Sequence, residues 1–441
     1  MLGAIIGDIV GSPYEFHNTK DYNFDLFLNN SNYTDDSVMT MAVAYWLLHD
    51  KEHTFQGLED AMVEFGNEYP CPMGGYGGGF HNWLFSPESL YDYDDQYGKA
   101  PYESKTGRHP YGSWGNGSAM RASAVGWFFD TLEETERVAA ISAAISHNHP
   151  EGIKGAQATA AAIWMARNGK SKENIREYIE KTYGYNLHRT WEDWHYEYYW
   201  QSSCHGTVPQ AMIAFLDSDS FKDAIRKAVS LGGDSDTLTC ITGGIAEAFY
   251  KDIPKTMIDR AKKLLPHLFK QIIAAVHART AYGELDYVDH LIQVRPGNWK
   301  QRITPARVSE LKNGEIFVFG SNLGGRHGGG AARTAYERFG AIWGQGTGLH
   351  GQSYAIPTMQ GGVDTIQPYV DSFVAFAKSH PEMRFLVTRI GCGIAGFSDE
   401  DIAPLFDKAV SVDNICLPME FWMEITVCDD GIYGNDSAGH N

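Results

Sequence analysis

Two acidic helix starts constrain this chain more than any other feature. Thr34-Asp35-Asp36-Ser37 opens a segment whose Val38, Met41, Ala42 and Tyr45 recur at helical spacing. Gly232-Gly233-Asp234-Ser235-Asp236-Thr237 opens another, running through Leu238, Ile241, Ile245 and Phe249. Either cluster alone reads as a cap, because hydroxyls and carboxylates satisfy the free N–H groups of a first turn and suit its positive end. A cap needs one oxygen, whereas each cluster offers two carboxylates plus hydroxyls. If the two starts face each other, four carboxylates and two threonine hydroxyls converge, and such like charges do not stay ionised together without cations between them. Oxygen donors without thiolate or imidazole suit Mg²⁺, with Mn²⁺ or Ca²⁺ as alternatives, so the pair reads as a two-metal site.

Composition narrows the partners. At 441 residues the chain is long enough for two or three domains, and 43% hydrophobic residues with 13% aromatic describe a soluble globular protein. A net charge of −19 disfavours sequence-independent nucleic-acid binding and attachment to anionic membranes. No apolar run approaches a membrane span, and the first residues lack the basic start of a signal peptide, so a cytoplasmic location is expected. Six scattered cysteines without a CxxC pair suggest buried free thiols.

Other stretches carry chemistry less directly. Gly3 to Phe16 reads as a tightly packed first helix that ends at Pro13-Tyr14-Glu15-Phe16, with Glu15 by default a solvated carboxylate at a helix end. Residues 71–118 are rich in Gly, Pro, Tyr and Trp, a loop composition with rings that can stack on a ligand. Residues 119–180 read as alanine-rich helices interrupted by Ser146-His147-Asn148-His149-Pro150, a turn with too few ligands for a metal site. The aromatic run Trp191 to Trp200 reads as a core-facing stripe with its acidic residues in solvent.

Five motifs in order, namely Gly3 to Phe16, Thr34 to Ser37, Gly115-Asn116-Gly117-Ser118-Ala119-Met120-Arg121, Ser146-His147 and Gly232 to Thr237, resemble the ADP-ribosylglycohydrolase family over roughly residues 1–265. That resemblance implies an all-helical domain that hydrolyses the C1″ glycosidic bond of ADP-ribose. The acceptor would be a protein or an ADP-ribose-containing small molecule. It assigns the metals to Thr34, Asp35, Asp36, Asp234, Asp236 and Thr237. Catalytic duty falls to Glu15, Asp35 and Asp36, with Glu15 or a metal-site aspartate as general base. It also implies that Gly112, Ser113, Trp114, Gly115 and Asn116 cradle the distal ribose and diphosphate through backbone N–H groups, and that His147 touches substrate. The competing reading is a non-catalytic ADP-ribose-binding or immunity module. It would lack some of these acids, and this chain has all that the motifs specify.

The expected organisation is a helical domain over 1–285, a linker over 286–310, an α/β domain over 311–428 and a polar tail over 429–441. In the α/β part, strands alternate with helices, and glycine turns at Asn322 to Gly330 and at Gly391 to Phe397 follow strands, where such sheets bind phosphorylated ligands. This α/β/α pattern resembles the macro domain, an ADP-ribose-binding fold, over about 311–412. The resemblance places a second ligand against Asn322, Gly328, Gly329, Gly330, Gly391, Gly393, Ile394 and Ala395, although the usual double-asparagine signature is absent.

Overall fold

Glycine spacing decides how the helical part is assembled. The Leu2–Gly11 helix is buried on every side, and Gly3, Gly7 and Gly11 form one stripe at four-residue intervals. A Cβ there would lie 2.4 Å from the Gly243 carbonyl oxygen, 2.1 Å from that of Thr239 and 2.4 Å from that of Ser235 respectively. The helix therefore packs antiparallel against Ser235–Tyr250 at backbone contact, with one register. That register sets the end of the first helix beside the start of the second. Ser12 to Glu15, which follow Gly11, are thereby delivered to the second acidic cluster.

The computed structural model describes residues 1–90, 101–279 and 291–427. It separates into two compact units, one spanning Met1–Leu291 and one beginning at Ile292. The first unit is built of helices, with Asp35–His49, Pro150–Arg167, Cys204–Leu216 and Ser235–Tyr250 among the longest. Their alanine-rich and otherwise apolar faces are buried. Among the described residues no helix is long and apolar enough to cross a membrane.

The second unit is α/β. Its main sheet contains β2 (Glu315–Ser321), β3 (Gly348–His350), β4 (Ser353–Pro357), β5 (Arg384–Val387) and β6 (Ile415–Cys416), while β1 (Gln293–Val294) pairs in parallel with β7 (Thr426–Val427). The order across the main sheet is β3-β4-β2-β5-β6, parallel throughout except for the β3 edge. Alternate residues of β2 face opposite sides. Ile316 and Val318 join a core with Phe373 and Val374 of the Gln367–Ser379 helix, and Phe317 and Phe319 join another with Ala335 of the Gly330–Arg338 helix. The sheet is covered on both faces, the layered arrangement expected for this part of the chain.

Two expectations change. Residues 292–304, read as linker, belong instead to the second unit: β1 pairs there, and buried Arg302 donates to the carbonyls of Ala409, Val410, Val412 and Ile415. A two-residue strand and one buried arginine leave no periodic signal. The aromatic run is not a core-facing stripe either. Its helix stops at His195, after which Tyr196, Tyr199 and Trp200 are exposed and Tyr198 alone is buried. The remainder of the expected linker toward residue 286, the polar tail over 429–441 and part of the 71–118 loop lie outside the described residues.

Candidate active site

The two acidic helix starts meet in one pocket of about 390 Å³, lined by Glu15, Asp35, Asp36, Asp234, Asp236 and Thr237. Local structure explains each position. Thr34 caps the Asp35–His49 helix by accepting from the Asp36 N–H, which turns Asp35 and Asp36 into the first turn. The cap is itself held by a carboxylate absent from the sequence-based set. Asp8 accepts from the Thr34 N–H at 3.0 Å, the Thr34 hydroxyl at 2.8 Å, the Ser37 N–H at 3.1 Å and the Ser37 hydroxyl. Only its place in the Gly3 to Phe16 motif pointed to it. On the other side, Gly232 and Gly233 both adopt left-handed φ, at +71° and +72°, conformations that other residues rarely adopt, and this turn presents Asp234. Asn116 Nδ2 donates to Asp234 Oδ2 at 2.8 Å, and the Thr237 hydroxyl reaches Asp36 Oδ1 at 3.3 Å, bridging the clusters.

The electrostatics are unbalanced. Glu15, Asp234 and Asp236 each offer an oxygen within 4.8 Å of the others. Among the described residues none of the five pocket carboxylates has a Lys or Arg ion-pair partner. Asp36 Oδ2 and Asp236 Oδ1 are buried with no hydrogen-bond partner, which ordinarily costs a folded protein several kcal/mol. Burial first, and the neighbouring carboxylates second, raise Asp35, Asp36 and Asp236 well above the usual carboxylate range. The same causes push Glu15 to about 8. Asp8 rises to about 6 through burial, held down by its hydrogen bonds from Ser37 and Thr34. Unpaired buried oxygens with no soft donor among them are a set that hard divalent cations satisfy.

Of the other residues named from sequence, Ser113, Gly115, Asn116 and His147 line the pocket, whereas Gly112, Trp114 and Thr34 do not. The N–H groups of Gly112, Gly115 and Asn116 donate to Asn148 Oδ1, Ser113 Oγ and the Ser202 carbonyl, so these three are already committed within the protein. Trp114 is exposed and packs edge-on against His149. His147 is buried, pairs with Ser146 Oγ, and is held neutral by burial and by nearby Arg121. Phe16 and Trp200, not anticipated from sequence, also line the pocket. Their rings stack at 5.7 Å and 18°, and both are substantially exposed, at 66% and 42%.

In the second unit the two glycine turns approach each other, since a Cβ on Gly329 would lie 3.2 Å from Ile394 Cδ1. Gly328, Gly330 and Gly393 face open space, while Gly391 is buried against Ile402. Asn322 is occupied by the backbone of Arg326 through both ends of its amide.

Comparison with known proteins finds relatives of this chain. The chain is 25% identical to ADP-ribosylhydrolase ARH3 of Mus musculus, over 57% of this chain and 82% of that protein. It is likewise 25% identical to the Homo sapiens protein of the same name, over 57% of this chain and 84% of the relative. With the ADP-ribosyl-(dinitrogen reductase) glycohydrolase of Rhodospirillum rubrum it shares 29% identity, over 40% of this chain and 60% of the relative. The ADP-ribosylglycohydrolase family model matches residues 1–286, and the chain therefore belongs to the ADP-ribosylglycohydrolase family.

Proposed function

We propose that the helical unit hydrolyses the C1″ glycosidic bond of ADP-ribose joined to a protein or small-molecule acceptor, and that it needs divalent cations to do so. The observation that carries this reading is the convergence of five carboxylates with two orphaned buried oxygens in a single pocket. Thr34, Asp35, Asp36, Asp234, Asp236 and Thr237 would hold two ions, Mg²⁺ by preference and Mn²⁺ as a substitute. When bound, such ions supply Lewis acidity and a template for ribose hydroxyls.

The protein's own groups have distinct tasks. Glycoside hydrolysis passes through an oxocarbenium-like state that a nearby carboxylate stabilises and a water attacks, its proton accepted by a general base. Glu15 is half-buried with a carboxylate oxygen within 4.8 Å of those of Asp234 and Asp236, a position from which it can accept that proton. The metal-site aspartates are the other candidates for this role. Asn116 fixes Asp234, while Asp8 fixes the turn bearing Asp35 and Asp36. The pocket walls at Ser113, Gly115 and His147 would receive the distal ribose and diphosphate. Release of free ADP-ribose from a panel of differently linked substrates tests the reading, and failure on every linkage would refute it.

The second unit, in the same proposal, is a macro-like module that binds ADP-ribose or a related nucleotide. Support comes from its glycine turns at the C-terminal ends of parallel strands, where open backbone at Gly328, Gly330 and Gly393 can approach phosphate.

A further inference from the structure

Glu15 stands on an irregular segment after a short 3-10 turn, Ser12–Tyr14, yet a metal-site or general-base role requires it to be fixed to within about half an ångström. One side chain supplies that constraint. Asn18 Nδ2 donates to the carbonyls of Tyr14 at 2.7 Å, Glu15 at 2.8 Å and Gly233 at 2.8 Å, while its Oδ1 accepts from the Gly233 N–H at 2.8 Å. The amide thus pairs with both polar groups of Gly233, as a neighbouring strand would, and closes the turn that carries Glu15. The far side of Gly233 is walled by Tyr198, whose Cε1 would lie 2.6 Å from an added Cβ. Gly233 is held between the two, immediately before Asp234.

We propose that Asn18 is a positioning residue for the reaction. It clamps the backbone of Glu15 to the Gly232–Gly233 turn and so sets the distance between the Glu15 carboxylate and those of Asp234 and Asp236. The inference rests on the reading of these three acids as part of a cation-dependent centre. Asn18 is exposed and its bonds to Tyr14 and Gly233 are part-buried, so water entering in its place takes over the freed backbone groups at modest cost to global stability. The displaced acids have no such substitute. The expected signature is therefore a large effect on chemistry and metal binding with a small effect on folding.

The test uses the full chain, the ADP-ribosyl linkage that the wild-type protein turns over fastest, and Mn²⁺ alone as the probe in calorimetric titration. Asn18→Ala is expected to lower kcat and to weaken Mn²⁺ binding by about ten- to a hundredfold each, as loss of a group supporting metal ligands does, with KM nearly unchanged. Lys20→Met is the control, because Lys20 ties the same segment to the Tyr198 and Leu231 carbonyls without touching the Glu15 turn. It should lower the melting temperature and leave Mn²⁺ affinity within about twofold, well short of the loss expected of a ligand-supporting group. Wild-type kcat and Mn²⁺ affinity in Asn18→Ala, with Glu15→Gln inactive, would overturn the clamp alone. Equal losses in Asn18→Ala and Lys20→Met would also overturn it, by showing general loosening of the segment. A fully active Glu15→Gln with normal Mn²⁺ binding would remove the underlying reading of the acid centre, and the clamp with it.

Discussion

In the helical unit the candidate functional atoms are side-chain oxygens at two helix starts, whereas in the α/β unit the candidate positions are glycines at loop crests that leave backbone exposed. The first arrangement carries an electrostatic load: five carboxylates share one pocket, burial raises the proton affinity of each, and repulsion adds to it at Glu15, Asp35, Asp36 and Asp236. The second carries none, since no cluster of metal-ligating side chains occurs there among the described residues. Bond-breaking chemistry belongs where charge has been concentrated and desolvated. A surface of open glycines suits the recognition role proposed for it, and a module with that role would raise the effective concentration of substrate for the catalytic unit.

Substitutions can break this contrast at several strengths. The largest effect is expected for Asp36→Asn and Asp236→Asn, which should each lower kcat by more than about a hundredfold, beyond the loss typical of groups that merely support ligands. A tenfold loss or less would mean that these acids only cap their helices. Next is stability. Cations that bind only the folded acid cluster should add about 2.7 kcal/mol at a hundred times their dissociation constant, and Asp236→Ala should erase most of the resulting rise in melting temperature. An undiminished rise in the variant would place the ions elsewhere.

A smaller effect is expected in the second unit. Gly393→Leu has room for its side chain, because no atom lies within 4 Å of an added Cβ, so the fold should tolerate it. It should weaken one of two ADP-ribose binding events in calorimetry by about tenfold, the worth of 1.4 kcal/mol in contacts with phosphate. Two unchanged events would remove the glycine turns from the binding site. The smallest effect concerns the pocket rim: Trp200→Ala, which deletes the ring stacked on Phe16, should raise KM severalfold with little change in kcat, as expected for about 1 kcal/mol of stacking. A fall in kcat alone would point to a role in the chemistry.

What the sequence made legible was local. Thr34 as a cap, the acids of two first turns, the strand at Glu315–Ser321 and the glycines after it are all signalled within a few neighbouring residues, and so could be read without a partner in view. The facing of the two acidic clusters followed only as a condition, and its cause lay in Gly3, Gly7 and Gly11 meeting Gly243, Thr239 and Ser235 across the chain, together with Asp8 of the same helix holding Thr34 and Ser37. Asp8, Asn18 and Trp200 escaped for the same reason. Each acts through a backbone or ring remote in sequence: Asp8 on Thr34, Asn18 on Gly233, Trp200 on Phe16. Arg302, inside an aperiodic stretch, escaped because its carbonyl partners lie in residues 409–415.

If the proposed chemistry holds, the buried acids act through divalent cations. The most direct measurement is turnover of an ADP-ribosylated substrate by the full chain after exhaustive chelation with EDTA, followed by addition of Mg²⁺ or Mn²⁺. Hydrolysis should disappear on chelation and return with either ion, because orphaned buried oxygens such as Asp36 Oδ2 and Asp236 Oδ1 have no other partner to order them. Full turnover by the chelated protein would contradict it.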